Sequence, residues 1–303
     1  MREGAGQTAG ASLRIRRVRK QGEWTDVHSD RPIGVFDSGI GGLSVAAAIA
    51  EALPSEQIYY FGDTARCPYG DRTPTEVAQF STQVFEFLRL LDIKLFVIAC
   101  NTATAVALTM LRDRAGAMPV LGVIEPGARA AVRNTAANRI GVIGTAVTVG
   151  SGAYANEIRR HDASAQVQSV ACPAFVPLVE AGELDGDRVE RVVQSSLSDL
   201  VQGGVDTLIL GCTHYPLLAA PIQRAMGDKV RLISSAAETA AEVADVLRQR
   251  GLLRVPDRVL TRPTHRYFAT GSGAGMAQAI QRWPVLADHA KVEEVDLGAF
   301  VPG

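Results

Sequence analysis

The chain is 303 residues long, 47% hydrophobic and 21% charged, with a formal net charge of −1 at pH 7. That length is about twice an ordinary domain and accommodates two domains or one large one. The balance is that of a soluble globular protein and excludes a disordered chain or a general polyanion binder, so nucleic acid is not an expected partner.

The first 31 residues form a Gly, Ala and polar segment around the basic cluster RIRRVRK at 14–20. No apolar stretch follows the cluster, which argues against a secretory signal. The segment reads as a poorly ordered extension, with a nucleic-acid-binding arm as the sharper alternative. From Pro32 onward, the short runs IGVF, QIYYF, LFVIA, PVLGVI, RIGVI, VQSVA, TLILG, VRLIS and HRYFA predict strands buried on both faces. Between them SVAAAIAEAL, PTEVAQFSTQVFEFLRLL, TATAVALTMLRDRA and ERVVQSSLSDLVQGG carry apolar residues at helical spacing. This alternation predicts an α/β fold with mainly parallel sheets. No apolar run approaches the roughly 18 residues of a membrane span, so no membrane partner is expected. Glycine-rich ATGSGAG at 269–275 follows the last predicted strand; with no βαβ unit expected after it, it reads as a turn and not as a dinucleotide loop.

The element order repeats. IGVFDSGIGG from Ile33 matches IGVIGTAVTVG from Ile140, 107 residues later; Cys67-Pro and Cys172-Pro are 105 apart; ACNTA at Cys100 and GCTHY at Cys212 are 112 apart. Nearly constant offsets predict a duplicated α/β unit. The expected organisation is an extension at 1–31, one domain of 32–127 plus 239–303, and a second of 128–238, with the active site in the cleft between two similar halves. Equivalent strand ends, where open α/β sheets place ligands, would meet there.

Of the four cysteines, none forms a CxxC pair, which fits a reducing, cytoplasmic compartment and argues against zinc ribbons and a disulfide framework. Cys100 and Cys212 each follow a strand at the start of a predicted helix, where backbone amides and the helix dipole are expected to lower a thiol from about 8.5. Cys67 and Cys172 precede prolines without a neighbouring acid or histidine in sequence and read as packing residues. In DSGIGG at 37–42, Asp37 and Ser38 precede a glycine turn suited to an anion; no GK[ST] follows, so a nucleotide loop is the weaker reading. Tyr69 and Gly70 offer a phenol and a backbone amide, and Thr145 and Thr148 offer hydroxyls or helix caps from the opposite half. His214 is placed to orient or protonate a group near Cys212, and Glu180 is a candidate cleft acid.

Two thiols on opposite sides of one bound molecule suit a reaction in which one face loses a proton and the other gains one, the inversion of a stereocentre. The α-proton of an amino acid is a very weak acid, so donors such as Asn101, Thr102, Thr213 and the turn amides have to stabilise developing negative charge. The scheme requires neither cofactor nor metal. An amino-acid-binding protein would share the cleft without needing reactive thiols.

GVFDSGIGGLSV, YFGDTARCPYGDRT, ACNTATA and LGCTHYP, in this order from about Pro32 to about Leu297, resemble the glutamate racemases of the cofactor-independent aspartate/glutamate racemase superfamily. The resemblance implies two α/β domains, commonly a homodimer, that interconvert L- and D-glutamate without pyridoxal phosphate or metal and supply D-glutamate for peptidoglycan. It implies that Cys100 deprotonates D-glutamate and Cys212 L-glutamate, with Asp37 and His214 as their polar assistants and Glu180 as a further acid. Asp37, Ser38, Pro68, Tyr69, Gly70, Asn101, Thr102, Thr213 and His214 are implied substrate-binding positions, joined by the Thr145 and Thr148 hydroxyls. Aspartate racemase, with the same paired thiols, is the rival within the superfamily. The extension at 1–31 departs from the family pattern.

Overall fold

The structure, a computed structural model, describes residues 29–255, 263–288 and 290–298. The basic cluster at 14–20, with the remainder of segment 1–28, lies outside the described residues. Strands β1 (Ile33–Asp37), β2 (Ile58–Gly62), β3 (Leu95–Ile98) and β4 (Val120–Gly122) belong to a first sheet. Strands β5 (Arg139–Gly144), β6 (Gln166–Ala171), β7 (Thr207–Gly211) and β8 (Arg231–Ile233) form a second, and β9 (Arg266–Ala269) and β10 (Val292–Glu294) return to the first. The sheet orders are β10-β9-β2-β1-β3-β4 and β6-β5-β7-β8. Every strand pairing is parallel. The predicted α/β class is the observed one.

The duplication extends to topology. β2-β1-β3-β4 and β6-β5-β7-β8 have the same order, and Ile33 and Ile140 hold equivalent places, each paired to both flanking strands. Alternate residues of the first sheet feed different clusters. Ile33, Val35, Ile58, Tyr60, Leu95 and Val97 pack under the helices Leu43–Ala52 and Ser235–Gln249. On the opposite face, Phe36, Phe61, Phe96 and Phe268 pack under Pro74–Leu90 and Asn101–Ala115. A strand with both faces covered has no polar side to show, which is why these runs read as continuously apolar.

Two strands differ from the sequence reading. β6 is an edge strand and is not buried on both faces, its residues being half-buried to exposed. β10 is a short polar edge strand, VEE, without the apolar run that identifies its neighbours. Its presence corrects the reading of ATGSGAG. Helix Gly273–Ile280 connects β9 to parallel β10, so a βαβ unit does follow the glycines. The Gly273 amide donates to Glu294 Oε1 at 2.8 Å, and the Gly271 amide to Thr64 Oγ1 at 3.0 Å. An acid of the chain itself occupies the direction a phosphate would need.

Helices Ile124–Asn134 and Ser235–Gln249 carry the chain between the sheets. Arg129 Nη2 lies 2.8 Å from Glu242 Oε2, and Arg133 pairs with Glu238, so the two crossings are joined. The boundaries 127/128 and 238/239 fall inside these helices. No described helix is long and apolar enough to cross a membrane.

The return crossing is fastened by a buried ion pair. Lys94 Nζ, at the start of β3, lies 2.5 Å from Glu56 Oε2, with both side chains no more than 2% exposed. The ammonium also donates to Leu252 O at 2.8 Å, and Glu56 Oε1 accepts from the Arg254 amide at 2.8 Å. Removing one partner leaves a buried charge without compensation. Lys94→Met is therefore expected to lower unfolding free energy by about 3–5 kcal/mol, and adding Glu56→Gln should recover part of the loss; a urea midpoint unchanged by the single substitution contradicts this.

Candidate active site

Residues just beyond the carboxyl ends of β1, β3, β5 and β7 line one cleft, among them Ser38, Cys100, Thr145 and Cys212. β1 ends in Asp37, fully buried, and the chain turns through 38–42 into helix Leu43–Ala52. The Gly39 amide points back to Asp37 Oδ2 at 3.0 Å. A Cβ on Gly42 would stand 2.5 Å from Asp37 Cβ, and one on Gly41 only 2.6 Å from Thr213 Oγ1 of the second half. These glycines serve close approach between backbones and side chains. Thr213 Oγ1 donates to Asp37 Oδ1 at 3.2 Å, so a hydrogen bond joins the halves where the turn meets the second thiol's loop.

Cys100 is the N-cap of helix Asn101–Ala115, its sulfur accepting from the Ala103 amide at 3.5 Å and its thiol donating to Ser38 Oγ at 3.7 Å. The expected lowering of this thiol is overturned. Burial and the Asp37 charge outweigh the amide and the Ser38 hydroxyl and push it up to about 12. Cys212 is equally enclosed, at 7% exposure, but is not at a helix start. Pro216 fits the first turn of a short 3-10 helix, Tyr215–Leu218, which begins three residues later. In place of a helix end, Cys212 Sγ has His214 Nδ1 at 3.8 Å. His214 Nε2 lies 2.6 Å from Glu180 Oε1. Burial opposes a charged imidazole here, yet the hydrogen bonds to Cys212 and Glu180, with the Cys212 and Asp37 charges, hold His214 up at about 10. The same hydrogen bond holds the Glu180 carboxyl below its ordinary range against partial burial.

Both thiols line one small cavity of about 10 Å³, room for about one water. The first half contributes Ser38, Pro68, Tyr69, Gly70, Asn101 and Thr102 to its wall, and the second Thr145, Thr213 and His214. Asp37, Glu180 and Thr148 do not line it. Thr148 closes a ring of hydroxyls, with Thr102, Thr145 and Thr148 mutually 3.0–3.2 Å apart across the halves. Gly70 leaves room for Thr145, whose Cγ2 would lie 2.7 Å from a Cβ there. Tyr69 turns its hydroxyl to buried Asp63 and so brings no free phenol, contrary to the expectation from sequence.

Four residues escaped the sequence reading. Val176 lines the cavity. Tyr154 donates from its hydroxyl to Asn101 Oδ1 at 2.6 Å, which directs the Asn101 amide NH₂ elsewhere. Asp63 holds Tyr69. Cys67 is not only a packing residue: its ligand atom and those of Glu180 and His214 lie within 4.8 Å of one another. Tyr154 and Cys67 carry no local signal because their partners are distant in sequence, whereas Asp63 lies only six residues from Tyr69. Cys172 does pack as expected, within the core of the second half.

The family model for Asp/Glu/hydantoin racemase matches residues 33–243. A glutamate racemase of Exiguobacterium sibiricum is 50% identical over 254 residues, 84% of this chain and 92% of that one. The crystal structure of a glutamate racemase isoform from Bacillus anthracis superposes with a TM-score of 0.83 at 44% identity, covering 89% of this chain and 99% of that one. One from Francisella tularensis, solved in complex with D-glutamate, gives a TM-score of 0.82 at 34% identity, covering 90% and 100%. The chain therefore belongs to the Asp/Glu/hydantoin racemase family, among its glutamate racemases, and is an isomerase that racemises an amino acid.

Proposed function

We infer that the chain interconverts L- and D-glutamate by a two-base mechanism in which Cys100 and Cys212 work from opposite faces of the α-carbon. The observation that carries this reading is that both thiols, one from each half, line the same cavity. Support for glutamate as the substrate comes from the D-glutamate bound to the Francisella relative. Among the described residues no Lys or Arg lines the cavity, so the two carboxylates of glutamate would be held by the Ser38, Thr102, Thr145 and Thr213 hydroxyls, the Asn101 amide, backbone N–H groups and the His214 imidazolium.

The two thiols have different surroundings. The charged His214 imidazole faces the Cys212 sulfur, whereas burial and Asp37 keep the proton on Cys100. In the L-to-D direction Cys212 removes the α-proton, charge develops toward the substrate carboxylate, and Cys100 delivers its proton to the other face. The reverse direction exchanges the roles, with Asp37 assisting Cys100 and the Glu180–His214 pair assisting Cys212. On the family's pattern alone, we also take the enzyme to be a cytoplasmic homodimer that uses no cofactor and supplies D-glutamate for peptidoglycan.

Incubation with L-glutamate and, separately, with D-glutamate in deuterium oxide, without added cofactor, is expected to abolish the circular dichroism of both and to place deuterium at the α-carbon of the product. Racemisation of aspartate alone would reject the substrate, and inertness toward both amino acids would favour a binding protein. Cys100→Ser and Cys212→Ser should each lower turnover by about 10²–10⁴-fold without changing the far-ultraviolet spectrum; near-normal turnover in either variant ends the two-thiol scheme. His214 holds its proton up to about pH 10 in the folded chain but, starting from an ordinary value of 6.5, loses it earlier when unfolded. The stabilisation from that proton is thus complete below pH 6.5 and is lost as pH rises toward 10. The difference in unfolding free energy between wild type and His214→Asn should shrink across that window, and a constant difference in urea melts would count against the charged imidazole.

A further inference from the structure

Cys67 does not line the cavity, and the proposed reaction has no step for it. Its sulfur lies against the glycine turn of the first half, 3.0 Å from where a Cβ on Gly39 would stand. Glu180 and His214 come from the second half, yet their donor atoms and the Cys67 sulfur lie within 4.8 Å of one another. Among the described residues, no other trio of His, Cys, Asp or Glu donors is gathered so tightly. Cys67 is half-buried, Glu180 exposed and His214 buried, so the trio is open to solvent on one side.

We propose that Cys67, Glu180 and His214 form an inhibitory binding site for a thiophilic divalent cation, with Zn²⁺ as the best match. Thiolate, imidazole and carboxylate together are a zinc donor set, and three protein ligands leave the fourth tetrahedral position to water. At zinc–ligand lengths of about 2.0–2.3 Å, tetrahedral donors stand roughly 3.4–3.6 Å apart. The Glu180–His214 contact of 2.6 Å therefore opens by about 0.8 Å, and the sulfur closes by at most about 1.2 Å from the 4.8 Å limit. Glu180 is the last residue of the short helix Phe175–Glu180, and its half-exposed side chain can make that movement.

Binding displaces the Cys67 thiol proton and the His214 Nε2 proton into solvent. The ion then joins the first half to the second across the cleft and takes His214 out of its pairing with Glu180. The site rests on geometry alone; its inhibitory effect rests on the proposed role of His214.

Calorimetric titration of the full, metal-free chain with Zn²⁺ is expected to show one site per chain. X-ray absorption of the zinc-loaded protein should show one sulfur neighbour, with the remainder nitrogen and oxygen. Cys67→Ala, checked against Cys67→Ser, should retain zinc-free turnover and weaken both zinc binding and zinc inhibition by at least about tenfold. Absence of binding, two sulfur neighbours from capture by Cys100 and Cys212, or unchanged affinity in both Cys67 variants would overturn the proposal. Failure of the zinc-free chain to racemise glutamate would reject the racemase reading while leaving the binding result standing.

Discussion

The contact between the glycine turn 39–42 and Thr213 is the constraint on which the site depends. Two parallel sheets of the same strand order each deliver their functional residues to their carboxyl ends. That brings two half-sites to the same level but does not join them. The joining requires the Gly41 backbone to sit where any Cβ would strike the Thr213 side chain, and it is closed by the Thr213–Asp37 hydrogen bond. The Gly70–Thr145 approach and the ring of Thr102, Thr145 and Thr148 repeat the arrangement on the other side of the cavity. A duplicated fold thus becomes one enclosed chamber through positions where a side chain is missing.

Enclosure determines the electrostatics. Burial is the largest influence on Asp37, Cys67 and Cys100, and in each it disfavours the ionised form. A helix N-terminus in water would favour a thiolate, but Cys100 caps its helix inside a chamber with an acid behind it, and the solvation lost there outweighs the dipole. His214 goes the opposite way because two hydrogen-bond partners and neighbouring negative charges counter its desolvation. The two thiols, at matched places in a duplicated fold, thus have unlike surroundings: Cys100 faces Ser38, and Cys212 faces His214.

The two crossing helices connect this chamber to the rest of the molecule. They are joined to each other by Arg129–Glu242 and Arg133–Glu238, and the return segment is held by Lys94 and Glu56 at the end of the sheet away from the cleft. The relative position of the halves is thereby controlled from outside the cavity, while the Cys67–Glu180–His214 cluster spans them at its edge.

Sequence alone determined what is local or periodic. Continuously apolar runs marked the strands that both sheets bury, and matched motifs at nearly constant offset exposed the duplication. Cysteines following strand ends identified the two thiols. Short β10 carried no such signal, and the partly exposed edge strand β6 was read as buried. Tertiary structure decided what depends on partners remote in the chain. The Tyr154 bond to Asn101 spans 53 residues, and the Thr213 bond to Asp37 spans 176. The state of Cys100 was settled in the same way: its sequence neighbours supply a helix start, but folding removes the water and adds Asp37, and in a closed cavity solvation outweighs the dipole.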